Sequence, residues 1–508
     1  MKKEYIIAAL VIAVLSGAGY YYVNNVMDKT PIVDIKEQRS MMQIRYDVHD
    51  NVNHIYNTKA KEISTYIADV KDDRQDAIDK YIFENTIFVK NNDTKLNTSS
   101  TLDGEYVETK RGEKLIKFDL VLDSESVEVA LKVKKNYLDD DYLYIAKSEY
   151  ITDVSELISR KIDGVDYNAY EKVYEYESNP RVEVKGVYIT ETSTGNSKLT
   201  EMIDLANNSE INAFVIDVKD DNGNILFYSE AAAKHNPSGN KRIIIKDMPA
   251  LMKKLKDNNI YAIARIVTFK SPRYANEYPN RAITYSSTDK VYVGNGMSWA
   301  SAYDRKLWEY NIDVAKEAAE LGFNEIQFDY VRFPASGGGK LDRSLNYKND
   351  LDETKTEAIQ KFLKYANDEL RPYEVYISAD VFGWAASALD DVGIGQQWEG
   401  ISNVVDYISP MIYPSHYGPG NYGLSIPDAF PYETVYRTTE DAIERNKNLM
   451  TPSTIRPWIQ DFTAPWVKGH IRYGAKEVKL QIDALKDIGI NEYILWNAGN
   501  RYSTDALK

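Results

Sequence analysis

From about Pro180 onward the chain alternates short runs of β-branched and aromatic residues with longer amphipathic stretches, the pattern of repeated βα units. Eight runs read as strands: Val184–Thr190, Ala213–Lys219, Tyr261–Thr268, Glu325–Phe333, Glu374–Val381, Asp406–Tyr413, Ile455–Gln460 and Glu492–Asn497. Helical periodicity falls between them at Lys198–Asn207, Met248–Asn258, Asp304–Leu321, Asp352–Leu370, Glu433–Lys447 and Tyr473–Ile488. The crossover at Asp390–Asn403 has room for only a turn or two. This predicts an α/β fold, a (β/α)8 TIM barrel over residues 183–508, a length of roughly 320 residues that suits one such barrel with inserted loops. A doubly wound open sheet would place a glycine-rich phosphate loop after the first strand. Here that strand runs into Thr190-Glu191-Thr192-Ser193-Thr194-Gly195, which is no such loop.

The pattern upstream is different. Residues 85–154 hold short β-rich runs (TIFVK, GEYVETK, LIKFDLVL, VEVALKV, YLYIA) between Asn, Asp and Gly turns, and predict a small β-rich domain. The stretch KLNTSSTLDGEYVETKRGEKL, followed by YLYIAKSEYIT, resembles bacterial SH3-type modules, many of which bind cell-wall peptides; the usual Arg after the Leu-Asn pair is missing. Residues 155–182 are acidic, tyrosine-rich and without sustained periodicity, which reads as a linker. Residues 31–82 are polar, with Tyr56, Ala60, Ile63, Ile67 and Val70 at helical steps, and predict a stalk. Lys2 and Lys3 precede the 19 apolar residues Tyr5–Val23, close to the roughly 20 that span a bilayer as a helix. Residues 1–24 are thus expected to form a transmembrane signal anchor, a single pass that leaves the C-terminal domains outside the cell. Small residues at Ser16-Gly17-Ala18 leave open a cleaved signal peptide and a secreted product.

Composition narrows the chemistry. A net charge of −15 argues against nucleic acid, whose binding draws on Lys and Arg that displace phosphate counterions. With no Cys, disulfides, thiolate metal sites and thiol nucleophiles are excluded. No cluster has recognisable metal-ligand spacing, so neither metal nor cofactor is expected. The sequence carries no signal of oligomeric state.

Side chains alternate across a strand, so one parity of each barrel strand faces the helices and the other the interior. Val375, Ile377, Ala379 and Val381 fit the helix side of the fifth strand, which turns Tyr376, Ser378 and Asp380 inward. The same rule turns inward Gln327 and Asp329 of the fourth strand, Asp217 and Lys219 of the second and Arg265 of the third. Tyr188, Met411, Tyr413, Trp458, Gln460 and Trp496 join them from the remaining strands. Ionisable and aromatic groups therefore converge near the C-terminal strand ends, where barrel enzymes carry their chemistry. The bland alternative is an ion-pair plug, such as Asp217 with Lys219 or Arg265.

The segments VKGVYIT, NAFVIDVKDDNGNILFYSE, IQFDYVRFP and YISPMIYPSHYGPGNYG resemble a bacterial family of glycosyl hydrolase-type domains long known only as a domain of unknown function. The resemblance spans nearly all residues from Val184 onward, and the run Phe328–Pro334 is its most specific part. It implies a barrel related to α-amylase and neighbouring glycosidases, in which the nucleophilic Asp ends strand four and the acid/base ends strand five, positions that Asp329 and Asp380 match. Two features depart from the amylase pattern: Arg332 follows Asp329 by three residues instead of an Arg preceding it by two, and the strand-five acid is Asp instead of Glu. Strand six (PMIYPSHY) and Trp496 also resemble chitinase-like barrels, but the Glu that those require at the end of strand four is absent.

Glycoside cleavage needs two carboxyl groups flanking the bond, one protonated and one ionised. Asp329 is expected as nucleophile and Asp380 as acid/base, with Arg332 or Arg265 keeping Asp329 ionised. Asp217 is expected to position a sugar hydroxyl, and Tyr413, His416, Trp458 and Trp496 to wall the cleft. The expected partner is a polysaccharide or peptidoglycan-type glycan at the cell surface, and the acidic chain favours a neutral or amino-sugar polymer over a polyanion. The rival reading is a glycan-binding barrel without catalysis.

Overall fold

The computed structural model describes residues 78, 80–137, 139–335 and 339–508. The expected anchor, residues 1–24, and nearly all of the expected stalk lie outside the described residues; among those described, no helix is long and apolar enough to cross a membrane. Two compact units divide between Leu157 and Ile158.

The first unit is built on a seven-stranded antiparallel sheet, in the order Tyr106–Thr109, Thr94–Asn97, Leu143–Ala146, Glu128–Lys134, Lys114–Leu122, Thr86–Val89, Tyr150–Ile151. Alternate residues such as Ile87 and Val89, and Leu131 and Val133, turn one face inward onto Leu96, Leu115 and Ile145.

The second unit is a closed barrel of eight parallel strands: β1 (Lys185–Ile189), β2 (Ala213–Lys219), β3 (Tyr261–Val267), β4 (Glu325–Asp329), β5 (Tyr376–Phe382), β6 (Tyr407–Ile412), β7 (Trp458–Gln460) and β8 (Tyr493–Trp496). Each strand pairs with its successor, and β8 pairs with β1 to close the ring. The principal helices between them are α1 (Lys198–Asn207), α2 (Met248–Asp257), α3 (Arg305–Glu320), α4 (Lys355–Leu370), α5 (Trp398–Ser402), α6 (Pro431–Asn446) and α7 (Ala475–Asp487). The short α5 occupies the crossover where the sequence allows only a turn or two. Helices form where apolar residues recur at helical spacing and a cap stops fraying; Thr354 and Glu357, for example, make a reciprocal capping box at the start of α4. Residues 158–182, read from sequence as linker, lie along this unit. Gln360 of α4 donates to the Asp166 carbonyl at 2.7 Å and Tyr376 of β5 donates to that of Asn179 at 2.8 Å, so barrel side chains satisfy their backbone.

Two cores follow from strand alternation. Phe214, Ile216, Ile326, Phe328, Ile377 and Ala379 pack against the helices, while Val215, Tyr261, Ile263, Tyr376, Tyr407 and Trp458 fill the barrel. Two strands are cut short or broken relative to expectation and a third carries a bulge, each for a local reason. β4 stops at Asp329 because Tyr330 adopts a left-handed conformation, φ 49°, which no strand tolerates. The seventh strand breaks between Ile455 and Trp458, where Pro457 has no amide hydrogen to give and Arg456 turns into the barrel floor to grip Glu325 at 2.7 Å and Glu492 at 2.7 Å. A bulge interrupts the β2–β3 ladder: Asp217 faces Arg265, but Lys219 faces Ile266, so one extra residue enters β2.

That bulge corrects the placement of Lys219. The alternation rule sends it into the barrel with Asp217, whereas the extra residue turns it into the helix layer. There its Nζ donates to Asn311 of α3 at 2.8 Å and to the Thr268 carbonyl at 3.3 Å. Lys219 does not meet Asp217 and takes no part in the site.

Candidate functional site

At the C-terminal ends of the strands a cavity of roughly 720 Å³ opens among the βα loops. Asp329 ends β4 and Asp380 lies near the end of β5, and the register Phe328↔Ala379 makes them neighbours on adjacent strands. Both face this cavity, together with Arg265, Arg332, Tyr413, His416, Trp458 and Trp496. Eight of the residues proposed from sequence thus converge on one space. Tyr188 and Asp217 lie beneath it. Gln460 is a brace: its Oε1 accepts from the Ser415 hydroxyl at 2.7 Å and its Nε2 donates to the Phe462 carbonyl at 2.9 Å, tying together the loops after β6 and β7.

The two carboxyl groups have opposite surroundings. Asp329 Oδ2 accepts from Arg265 Nε at 2.9 Å and Nη2 at 2.5 Å, and its Oδ1 accepts from the Tyr330 amide at 2.5 Å. Asp380 is buried, pairs with no cation among the described residues, and accepts a single side-chain bond, from the indole Nε1 of Trp458 at 2.7 Å. Burial first, and the neighbouring Asp329 carboxylate second, push the Asp380 carboxyl well above the usual carboxylate range, with the indole opposing them.

Arg265 is the hub. It also holds Asp217 at 2.6 Å, and Asp217 in turn accepts the Tyr188 hydroxyl at 2.6 Å. Burial works against the Arg265 charge, but Asp329, Asp217 and Asp221 together raise its pKa well above the ordinary value. Trp496 stacks on Tyr188 with ring centres 4.2 Å apart and meets Trp458 edge-on at 5.7 Å, giving the cavity an aromatic floor. Tyr413 stands edge-on to His416 and Phe462 along one wall.

Several lining residues escaped the sequence reading: Asp221, Tyr330, Trp384 and Phe462. Lys270, ion-paired to Asp221, sits 3.6 Å over the Tyr330 ring. Asp221 was hidden in Asp220-Asp221-Asn222-Gly223, which satisfies a turn signal on its own. The signal that could have found these residues is position, since each follows a barrel strand at its C-terminal end. A second cavity of about 620 Å³ lies at the opposite, N-terminal mouth, where Arg181 and Asp406 pair at 3.4 Å.

The closed parallel barrel and this site define a glycoside hydrolase-like (β/α)8 protein. The chain belongs to the family described as "Putative glycosyl hydrolase domain", whose model matches residues 186–502. No curated protein matches the chain. Among solved structures it is similar to a hypothetical protein from Ruminiclostridium thermocellum, with 35% identity over 38% of this chain and 97% of that one, TM-score 0.34. It is similar to the glycoside hydrolase domain of PgaB (BpsB) from Bordetella bronchiseptica, with 11% identity over 64% of this chain and 98% of that one, TM-score 0.46. A third likeness is to TtGalA, an α-galactosidase from Thermus thermophilus in complex with stachyose, with 13% identity over 76% and 73% of the two chains, TM-score 0.39. The family assignment rests on the match over residues 186–502.

Proposed function

We propose that the protein hydrolyses a cell-surface or extracellular polysaccharide, with Asp329 as nucleophile and Asp380 as acid/base. The observation that carries this reading is the unlike environment of two adjacent carboxyl groups: Asp329 gripped by Arg265, Asp380 buried beside an indole with its pKa pushed well above the usual carboxylate range. A protonated Asp380 can give its proton to the departing glycosidic oxygen while Asp329 attacks the anomeric carbon; Asp380 then takes a proton from water as that water releases the sugar. Adjacent strands lie about 4.8 Å apart, which suits the roughly 5 Å carboxyl separation of a retaining enzyme. In the same reading, the N-terminal apolar segment holds the protein on the outer side of a membrane, and glycans of the envelope are the substrates within reach.

The test is release of reducing ends from a panel of bacterial surface polysaccharides and peptidoglycan by the full chain, beside Asp329→Asn and Asp380→Asn. Release by the parent and none by Asp329→Asn is expected. Binding without release by every form would replace the enzyme with a glycan-binding barrel.

A further inference from the structure

Among the described residues two cations line the cavity, Arg265 and Arg332, and a third, Lys270, is paired to the lining residue Asp221. Arg265 holds Asp217 and Asp329, and Lys270 holds Asp221. Arg332 differs. It is only 8% exposed, yet no Asp or Glu among the described residues lies within ion-pair distance of its guanidinium. Its one hydrogen bond to protein runs from Nη1 to the Phe333 carbonyl at 2.8 Å. Among the described residues neither Nε nor Nη2 has an acceptor, and Arg332 lines the cavity. Asp329, the carboxylate whose field reaches it, has both oxygens committed to Arg265 and the Tyr330 amide.

Aromatic rings hold the guanidinium in place. The centres of Phe382, Tyr330 and Trp299 lie 4.6, 4.8 and 5.0 Å from its central carbon. Such rings fix the orientation of a guanidinium and offset part of the desolvation of its charge, but they accept no hydrogen bond along its edge. Burying a cation whose donors go unused is costly, and burial here pushes the Arg332 pKa down. The cost is recovered when an anion enters, because a guanidinium edge matches the paired oxygens of a carboxylate, phosphate or sulfate.

We propose that the cavity takes an acidic sugar, whose carboxylate or phosphate or sulfate ester seats on the free edge of Arg332. This rests on the glycoside hydrolase reading of the same site and names its substrate class. It departs from the expectation that the net charge of −15 sets, since that charge acts over the whole surface while Arg332 acts at contact distance, inside a cavity walled by low-dielectric side chains. An acidic sugar carried on a sparsely charged polymer satisfies both.

The experiment is tryptophan fluorescence of the full chain, titrated with glucose, glucuronate, glucose 6-phosphate and glucose 6-sulfate and with the galactose counterparts, for the parent, Arg332→Gln and Arg332→Lys. At least one anionic probe is expected to bind more tightly than its neutral parent sugar, and the tightest identifies the anion. Arg332→Gln should weaken that probe by about tenfold or more beyond any loss it causes for the neutral sugars, and Arg332→Lys should recover part of the loss. Equal affinity for neutral and anionic sugars, an equal loss of all of them in Arg332→Gln, or no binding of any probe would overturn the proposal. Because the readout is binding, failure of the hydrolase reading appears separately, as polysaccharide release that Asp329→Asn does not abolish.

Discussion

Trp458 donates its indole hydrogen to Asp380 Oδ1 at 2.7 Å, and so joins the first residue of β7 to the carboxyl group of β5 across the barrel interior. The bond stabilises the ionised form of Asp380, and opposes burial and the field of Asp329, which both favour the protonated form. An acid that must carry a proton loses function as pH rises through its pKa, so the alkaline limb of kcat/KM should belong to Asp380 and lie above the ordinary carboxylate range. Trp458→Phe removes the opposing bond, and the limb should move to higher pH. A pH profile of the two proteins checks this; a limb that stays in place detaches it from Asp380.

Replacing Asp380 by Asn should lower kcat by about 10²–10⁴, the usual worth of a positioned general acid. The loss of kcat/KM, which reports the first step, should be much smaller on aryl glycosides with acidic phenol leaving groups, which depart without a proton, while kcat stays low because Asp380 is also the base of the second step. Comparing nitrophenyl glycosides with the natural polymer separates Asp380 from Asp329, whose replacement should abolish both activities.

Arg265 has a structural load besides its place in the site. Arg265→Met would leave Asp217 and Asp329 as uncompensated buried charges, and breaking such pairs costs about 3–5 kcal/mol. Urea unfolding followed by the fluorescence of the barrel tryptophans should show a loss of that order at pH 7. Part of it should return at low pH, where the stranded carboxyls are protonated.

Trp466 is 67% exposed and stacks on Phe462, which lines the cavity, with ring centres 6.2 Å apart and planes 22° from parallel. The pair extends the aromatic wall beyond the mouth and suits a sugar chain running out of the site. Trp466→Ala should raise KM for polysaccharide roughly two- to tenfold, as expected for an aromatic contact of about 0.5–1.5 kcal/mol, with kcat and the hydrolysis of small glycosides unchanged.

Lys219 supplies a pH signature unrelated to activity. Burial lowers its pKa to about 7, with Asp220 opposing. The folded state therefore sheds this proton well below the pH at which the unfolded chain does. Stability linked to Lys219 is fully present above the unfolded value near 10.4, falls as pH drops towards 7, and is flat below. Lys219→Met should remove that slope. The difference in Tm between the two proteins should favour the variant most below pH 7 and narrow towards pH 10.

The sequence by itself determined the barrel, because eight strand runs separated by helical stretches admit few closed arrangements and alternation says which face of each strand is aliphatic. It also placed Asp329 and Asp380 towards the C-terminal ends of successive strands. Tertiary structure decided the rest. A single inserted residue in β2 reversed the direction of Lys219, and nothing in the pattern of that strand marks a bulge whose partner is Arg265. The roles of Asp217 and Gln460 beneath and beside the cavity, and the arrival of Asp221, Trp384 and Phe462 at its walls, depend on where long loops come to rest. The two carboxyl groups have the same chemistry in the sequence. Only the fold gives one of them Arg265 and the other an indole in a dry interior, because charge stabilisation depends on distance and burial, which the order of residues does not contain.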